Sequence, residues 1–458
     1  MIFDFIRIDR RGGDALWRQI YEQFAAAADS GMIAPLTRLP SIRELAEGLS
    51  VSRSPVENAY ERLHIDGYLM SRPKSGYFIA PRRRGNAAAW ERARAKNSAD
   101  IRYDLSSGRI EAKSADLSAW RRCLRAALKR EDEITSRGDP CGEGELRAQL
   151  AAYAYRARGV KCRAEEIVTA SGTQQLLSLL CRALGGGGRA VLESPGFEQG
   201  ERVLRDYGWE VSVVEESPDT AGRLGGADIF MEIGSKRPLR TLAQRTRRRG
   251  ALAEWARENG RFIIEDDYNG ELRYLARPIP AMQPLAPENI VYVGSFSQLL
   301  LPSVRVAYMA LPPRLAESCA EAARFYDPTS SKVEQLALAD YIREGHLERH
   351  LRRCRKLYLR KSRLFSEALT RTFGPSLRWR LLETSTAFAL TASGAEELRL
   401  AALREGIKIE TDGGDILLSF ASLPEEDIAA AVSALKEAWP GSAMRAKRER
   451  QRAHRGRG

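Results

Sequence analysis

From about residue 101 to residue 441, short apolar runs rich in β-formers alternate with helical stretches. The runs are Ile167–Thr169, Ala190–Leu192, Val211–Val214, Asp228–Met231, Phe262–Asp266, Ile290–Gly294 and Val304–Ala310. Helical pattern lies between several of them, as at Leu176–Leu184 and Thr246–Glu258. A strand that rejoins its sheet through a helix runs parallel to the strand before it. The alternation therefore predicts an α/β domain with a mainly parallel sheet. Two long helical stretches follow, around 313–345 and 347–371.

Residues 1–80 follow a different pattern. Ala15–Asp29 carries Leu16, Ile20 and Phe24 on one helical face. Ser41 is placed to cap a short helix that ends near Gly48. After a turn at Ser50–Ser52, Ser52 is placed to cap a third helix, with Pro55 in its first turn. Val56, Ala59, Tyr60 and Leu63 form that helix's buried stripe. Gly67–Ala80 reads as a hairpin whose turn holds Pro73, Lys74, Ser75 and Gly76.

Three short helices and a hairpin make a winged helix-turn-helix, which presents the start of its recognition helix to base edges in the major groove. Ser52, Arg53, Ser54 and Glu57 stand there. Arg53 can fork onto a guanine or grip a phosphate. Arg43 on the preceding helix is placed for the DNA backbone. Lys74 and Gly76 on the wing are placed for the minor groove or its phosphates. Charge agrees with a polyanionic partner: 73 Lys and Arg against 60 Asp and Glu leave +13. Residues 81–100 read as a basic linker. Residues 442–458 read as a disordered basic tail, with seven Lys or Arg and one Glu from Ala443 on.

Other classes fit poorly. No apolar stretch approaches the roughly 18 residues of a membrane span. Asp4 and Arg7 interrupt any secretory signal at the start. Six cysteines without a C-x-x-C pair read as reduced thiols of a cytoplasmic protein. His346 and His350 share a helical face, but no nearby Cys or acidic cluster completes a metal site, so none is expected.

The first unit resembles the GntR-type winged helix. The resemblance rests on Leu16-Trp-Arg-Gln-Ile-Tyr21, Arg38-Leu-Pro-Ser-Ile-Arg-Glu-Leu-Ala46, Val51-Ser-Arg53, Ala59-Tyr-Glu-Arg-Leu63 and Gly67-Tyr-Leu69. Leu36 stands where that family usually has a glycine, which implies a reshaped loop. In the large unit, Ile263-Ile-Glu-Asp-Asp-Tyr-Asn-Gly-Glu-Leu-Arg-Tyr274 and Gly294-Ser-Phe-Ser-Gln-Leu-Leu-Leu-Pro-Ser-Val-Arg305 resemble the fold type I pyridoxal-phosphate aminotransferases. Further matches are Gly138-Asp-Pro140, Glu145-Leu-Arg147, Ser171-Gly-Thr-Gln-Gln175, Glu193-Ser-Pro-Gly-Phe197, Gln335-Leu-Ala-Leu-Ala339 and Gly345-His-Leu-Glu-Arg-His350. Over essentially its full length the chain is similar to the MocR subfamily of GntR regulators. That likeness implies an aminotransferase-like domain over 101–441 with a smaller C-terminal α+β subdomain.

The resemblance also implies residue roles. Asp266 would pair with the pyridine nitrogen, Tyr268 would hydrogen-bond the ring oxygen, and Phe197 would stack on the ring. Backbone amides at Gly172, Thr173 and Gln174, with Ser295 and Arg305, would cradle the phosphate. Three departures oppose these matches. Gln298 occupies the place of the Schiff-base lysine, and an amide nitrogen cannot form that imine. Ser235 stands where a histidine is expected. Leu417 stands near the place of the arginine that clamps a substrate carboxylate. Lys236 is a weak substitute anchor.

The implied function is an operator-binding transcription regulator. Its body would form a head-to-tail homodimer and sense a small molecule without transaminating. The alternatives left open are three. The body could hold pyridoxal phosphate noncovalently or through another lysine, it could be a working aminotransferase, or it could be a scaffold with a collapsed pocket.

Overall fold

The computed structural model describes residues 5–9, 15–72, 75–80, 101–194, 197–233, 241–267, 270–275, 279–297, 299–382, 386–392, 394–412 and 414–439. Lys74, Ser235, Lys236, Tyr268, Gln298, the linker 81–100 and the tail 442–458 lie outside these residues. The contacts divide the chain into Met1–Ala99 and Asp100–Gly458.

In the first unit, α1 (Leu16–Ser30), α2 (Ile42–Gly48) and α3 (Arg53–Ile65) precede β1 (Leu69–Arg72) and β2 (Gly76–Ile79). The strands pair antiparallel, with Leu69 opposite Ile79. Ile20 and Phe24 of α1 meet Val56, Ala59, Tyr60 and Leu63 of α3, all at most 1% exposed. Burying side chains of this size contributes about 1.5–3 kcal/mol each. Tyr60 packs edge-on against Phe24 and Tyr77 and donates its hydroxyl to the Pro40 carbonyl at 3.0 Å. Ser41 caps α2 in a full capping box with Glu44.

Ser52 holds the N-cap position of α3, but its side chain makes no cap bond, contrary to expectation. An N-cap oxygen accepts from the amide two or three residues on, and the third residue here is Pro55, which has no N–H. The loop before α2 also differs from expectation. Leu36 keeps a left-handed backbone, φ 66°, so the conformation suited to glycine persists under a leucine.

The second unit is built on a seven-stranded sheet with the order β4-β10-β9-β8-β7-β5-β6. The strands are β4 (Ile167–Ala170), β5 (Gly188–Ser194), β6 (Trp209–Glu215), β7 (Ile229–Ile233), β8 (Phe262–Asp266), β9 (Ile290–Ser295) and β10 (Ala307–Ala310). Neighbours from β6 through β9 run parallel, as the alternation predicts. β10 is the exception, antiparallel to both β9 and β4. Only residues 296–306 join β9 to β10, too few for a helical crossover. The helix Thr173–Ala183 covers one face, where Leu176 and Leu177 join Ile264 and Val291. The helix Leu242–Asn259 covers the other, where Leu252 and Ala256 join Phe230 and Ile263.

The stretch 313–345 is not one helix. It forms Pro313–Ala323 and Lys332–Arg343, and Pro328 lies in the break. The helix His346–Phe373 then leads to a smaller antiparallel sheet, β11-β12-β15-β14. These strands are Arg378–Leu381, Ala387–Thr391, Asp415–Ser419 and Glu410–Asp412. Phe365 stacks on Phe388 there, with centroids 5.2 Å apart. The start of the unit, β3 (Tyr103–Asp104), pairs with β13 (Ile407–Lys408) of the same region.

Candidate functional site

Ser52, Arg53, Ser54 and Glu57 are all exposed on α3, on the side away from the Val56–Leu63 stripe. Arg43 is exposed on α2 and pairs with Glu47 at 2.8 Å. Gly76 opens β2 with φ +96°. A Cβ added there would lie 3.7 Å from Nε of Arg38. Arg38 reaches the wing because its backbone forms a bridge with Phe78. The sequence reading did not include Arg38 among the DNA-facing residues. Its place in the Arg38-Leu-Pro-Ser run was the available signal.

In the second unit, β4 ends at Ala170 and the chain turns through Gly172 into the helix Thr173–Ala183. Gly172 has no side chain to cap that helix, so its first amides are offered to an anion. A Cβ on Gly172 would lie 2.9 Å from Nη2 of Arg305. Arg305 Nη1 donates to Ser297 Oγ at 3.4 Å, and the Ser297 amide donates to Ser295 Oγ at 3.4 Å. Thr173, Ser295 and Arg305 are thus brought together around one helix start.

Asp266 closes β8 two residues after Ile264 and so shares its face, the one that faces the helix Thr173–Ala183. Phe197 packs against the same cluster. Gly200 admits its ring, since a Cβ there would sit 2.4 Å from Phe197 Cδ1. Phe197, Asp266 and the Thr173 turn therefore share one face of the sheet.

The acids around Asp266 are partnered. Glu265 accepts from the amides of Met282 and Gln283 at 2.7–3.0 Å. Asp267 accepts from Arg158 and from the Tyr292 hydroxyl. Arg248 bridges Glu193 and Glu232. It helps to hold Glu232 ionised, while burial pushes Glu193 up to about 8. Among the described residues Asp266 has no such cation. Burial first, and then Asp267, raise it to about 7. A buried acid of this kind suits a protonated ring nitrogen, and the Gly172–Arg305 cradle suits a phosphate.

Two further residues bear on this edge. His350 is buried, which lowers its pKa, and its ring lies near the backbone of Leu299, next to position 298. It also touches Cys354 Sγ, whereas His346 faces Arg122, Glu344 and Arg349, so the two histidines do not converge. Leu417 joins a small apolar cluster with Leu382, Ala387 and Ala389.

A winged three-helix module and a mixed sheet of this order define a DNA-binding regulator with an aminotransferase-like body. Residues 16–79 match the family of bacterial regulatory proteins of the gntR type, and residues 103–223 match aminotransferase class I and II. The HTH-type transcriptional regulator YhdI of Bacillus subtilis is 32% identical over 94% of this chain and 97% of its own. The probable rhizopine catabolism regulatory protein MocR of Rhizobium meliloti is 31% identical over 78% of each chain. The chain belongs to the MocR type of GntR-family transcriptional regulators. The body also has the fold of kynurenine aminotransferase from Pyrococcus horikoshii, with a TM-score of 0.64 and 21% identity over 77% of this chain and 93% of that one. Among the described residues no helix is long and apolar enough to cross a membrane.

Proposed function

We propose that this regulator reads an operator through Ser52, Arg53, Ser54, Arg43, Lys74 and Gly76, and that its body senses a small molecule without transaminating. In this reading it works in the cytoplasm as a head-to-tail homodimer. The observation that carries the proposal is the contrast at the body's sheet edge. The phosphate cradle at Gly172 and Arg305 and the buried Asp266 persist, while the sequence has Gln298 at the anchoring position and Leu417 in an apolar cluster.

Pyridoxal phosphate fits what persists. Thr173, Ser295 and Arg305 would hold its phosphate, Phe197 its ring face, Asp266 its ring nitrogen and Tyr268 its ring oxygen. When bound, the group supplies an electron sink. This chain's residues would bind and orient it, but Gln298 offers no amine to attach it and no base to move a proton. A 28% identical relative, PdxR of Corynebacterium glutamicum, is named for regulating pyridoxine biosynthesis, which supports a pyridine ligand.

The test is the absorption spectrum of the purified chain with and without added pyridoxal phosphate. The expected result is saturable binding that dialysis removes and borohydride does not fix, with Gln298→Lys gaining a borohydride-fixed adduct. A fixed adduct in the unaltered chain would point to Lys236 or another amine and overturn the noncatalytic reading. No binding by either protein would overturn pyridoxal phosphate as the ligand.

A further inference from the structure

The first unit contains several arginines placed four residues before an acid. Arg18–Glu22, Arg43–Glu47 and Arg62–Asp66 each close into an ion pair at 2.8–3.1 Å. Arg53 and Glu57 have the same spacing and are both exposed, yet among the described residues they form no such pair. Glu61 continues the strip one turn further on, also exposed. The strip at 53, 57 and 61 thus carries one cation and two anions on the helix that the winged fold offers to DNA.

Two acids on such a surface cannot serve general attraction to a polyanion. Arg38 beside the wing glycine is better placed for that. A carboxylate only accepts hydrogen bonds, so within the major groove it can engage only an amino group. Adenine carries its amino group beside N7, an acceptor that repels the carboxylate. Cytosine offers its amino group without that neighbour. Guanine and thymine present carbonyl oxygens, which leave the carboxylate unpaired and opposed.

We propose that Glu57 is a specificity-determining residue that reads the exocyclic amine of a cytosine in the operator. The inference rests on the reading of α3 as the recognition helix. Four helical residues advance about 6 Å along the axis. Where Arg53 forks onto a guanine, the cytosine read by Glu57 therefore lies within about two base-pair steps of that guanine, given roughly 3.4 Å per step. The carboxylate lowers affinity for every duplex that lacks the cytosine, so it sharpens choice while weakening nonspecific binding.

Selection of duplexes from a random pool by the full-length chain tests this, with Glu57→Gln, Glu61→Gln and Arg53→Ala run alongside. Unaltered protein is expected to enrich a cytosine near a guanine. Glutamine pairs with adenine through N6 and N7, so Glu57→Gln should change that one position to adenine. It should also weaken binding to the original site about tenfold or more and strengthen binding to unrelated DNA. Glu61→Gln should select the original site. If Arg53→Ala loses the guanine while Glu57→Gln selects an unchanged site, the assignment of Glu57 is wrong and the α3 reading stands. If the unaltered chain enriches no sequence, both fail together.

Discussion

On α3, Arg53 and Glu57 stand exposed and apart, whereas at the edge of the large sheet Arg248 is 6% exposed and fixed between Glu193 and Glu232. The first pair rests on a complete apolar stripe and carries no part of the fold. The second stands where the strands end, and its charges hold one another in place. A substitution on α3 should therefore alter binding and leave folding intact. A substitution at the sheet edge should alter folding first. Asp266 belongs to neither pattern: among the described residues it is buried like Arg248 but without a cation, as Arg53 is without an anion.

The largest effect is expected from Arg248→Ala. Removing one partner of a buried ion pair costs about 3–5 kcal/mol, because Glu193 is left buried without its partner and Glu232 keeps only the more distant Arg249. Urea unfolding of the full chain should show that loss in the transition of the large unit, with the first unit unaffected. A loss below about 1 kcal/mol, the range of exposed pairs, would remove the contrast between the two regions.

Asp266 gives the next largest effect, through pH. Its folded pKa of about 7 lies above the ordinary carboxylate value, so between roughly pH 4 and 7 the folded state binds a proton that the unfolded state has released. Stability should fall as pH rises through that window, by about 2–4 kcal/mol for this group. Asp266→Asn should flatten the fall and be the more stable protein at pH 8, as urea midpoints across the range would show. An equal slope in both proteins would mean that the pH dependence comes from the other raised acids, Glu265 and Glu271, and not from Asp266.

Much of this was legible in the sequence because it is local. All but one of the apolar runs became strands buried on both faces, the edge strand β6 being partly exposed, and Asp266 was found because it ends such a buried run. What stayed hidden depends on distant partners. Arg38 gains its position from Phe78 and Gly76, and Arg158 gains its partner from Asp267. Neither contact has a periodicity to read. The Ser52 cap misled for a local reason, since residue type favoured it and Pro55 removed the donor.

The smallest effect concerns Leu36, which carries no charge and lies at the edge of the DNA-reading unit. Its φ of 66° places Cβ against the backbone, at a cost of about 1–2 kcal/mol for an ordinary residue. The residue is 52% exposed, so little burial offsets that cost. The Leu36 amide donates to the Ile79 carbonyl at 2.9 Å and ties the loop to β2, which any residue could do. Glycine would relieve the strain but lose more freedom on folding, about 0.5–1 kcal/mol. Leu36→Gly should therefore raise the stability of the first unit by about 0.5–1 kcal/mol, read from its thermal transition. Leu36→Ala keeps the Cβ and should gain nothing. If alanine stabilises as much as glycine, the strain lies in the leucine side chain, and the loop is held by packing that exposed α3 does not share.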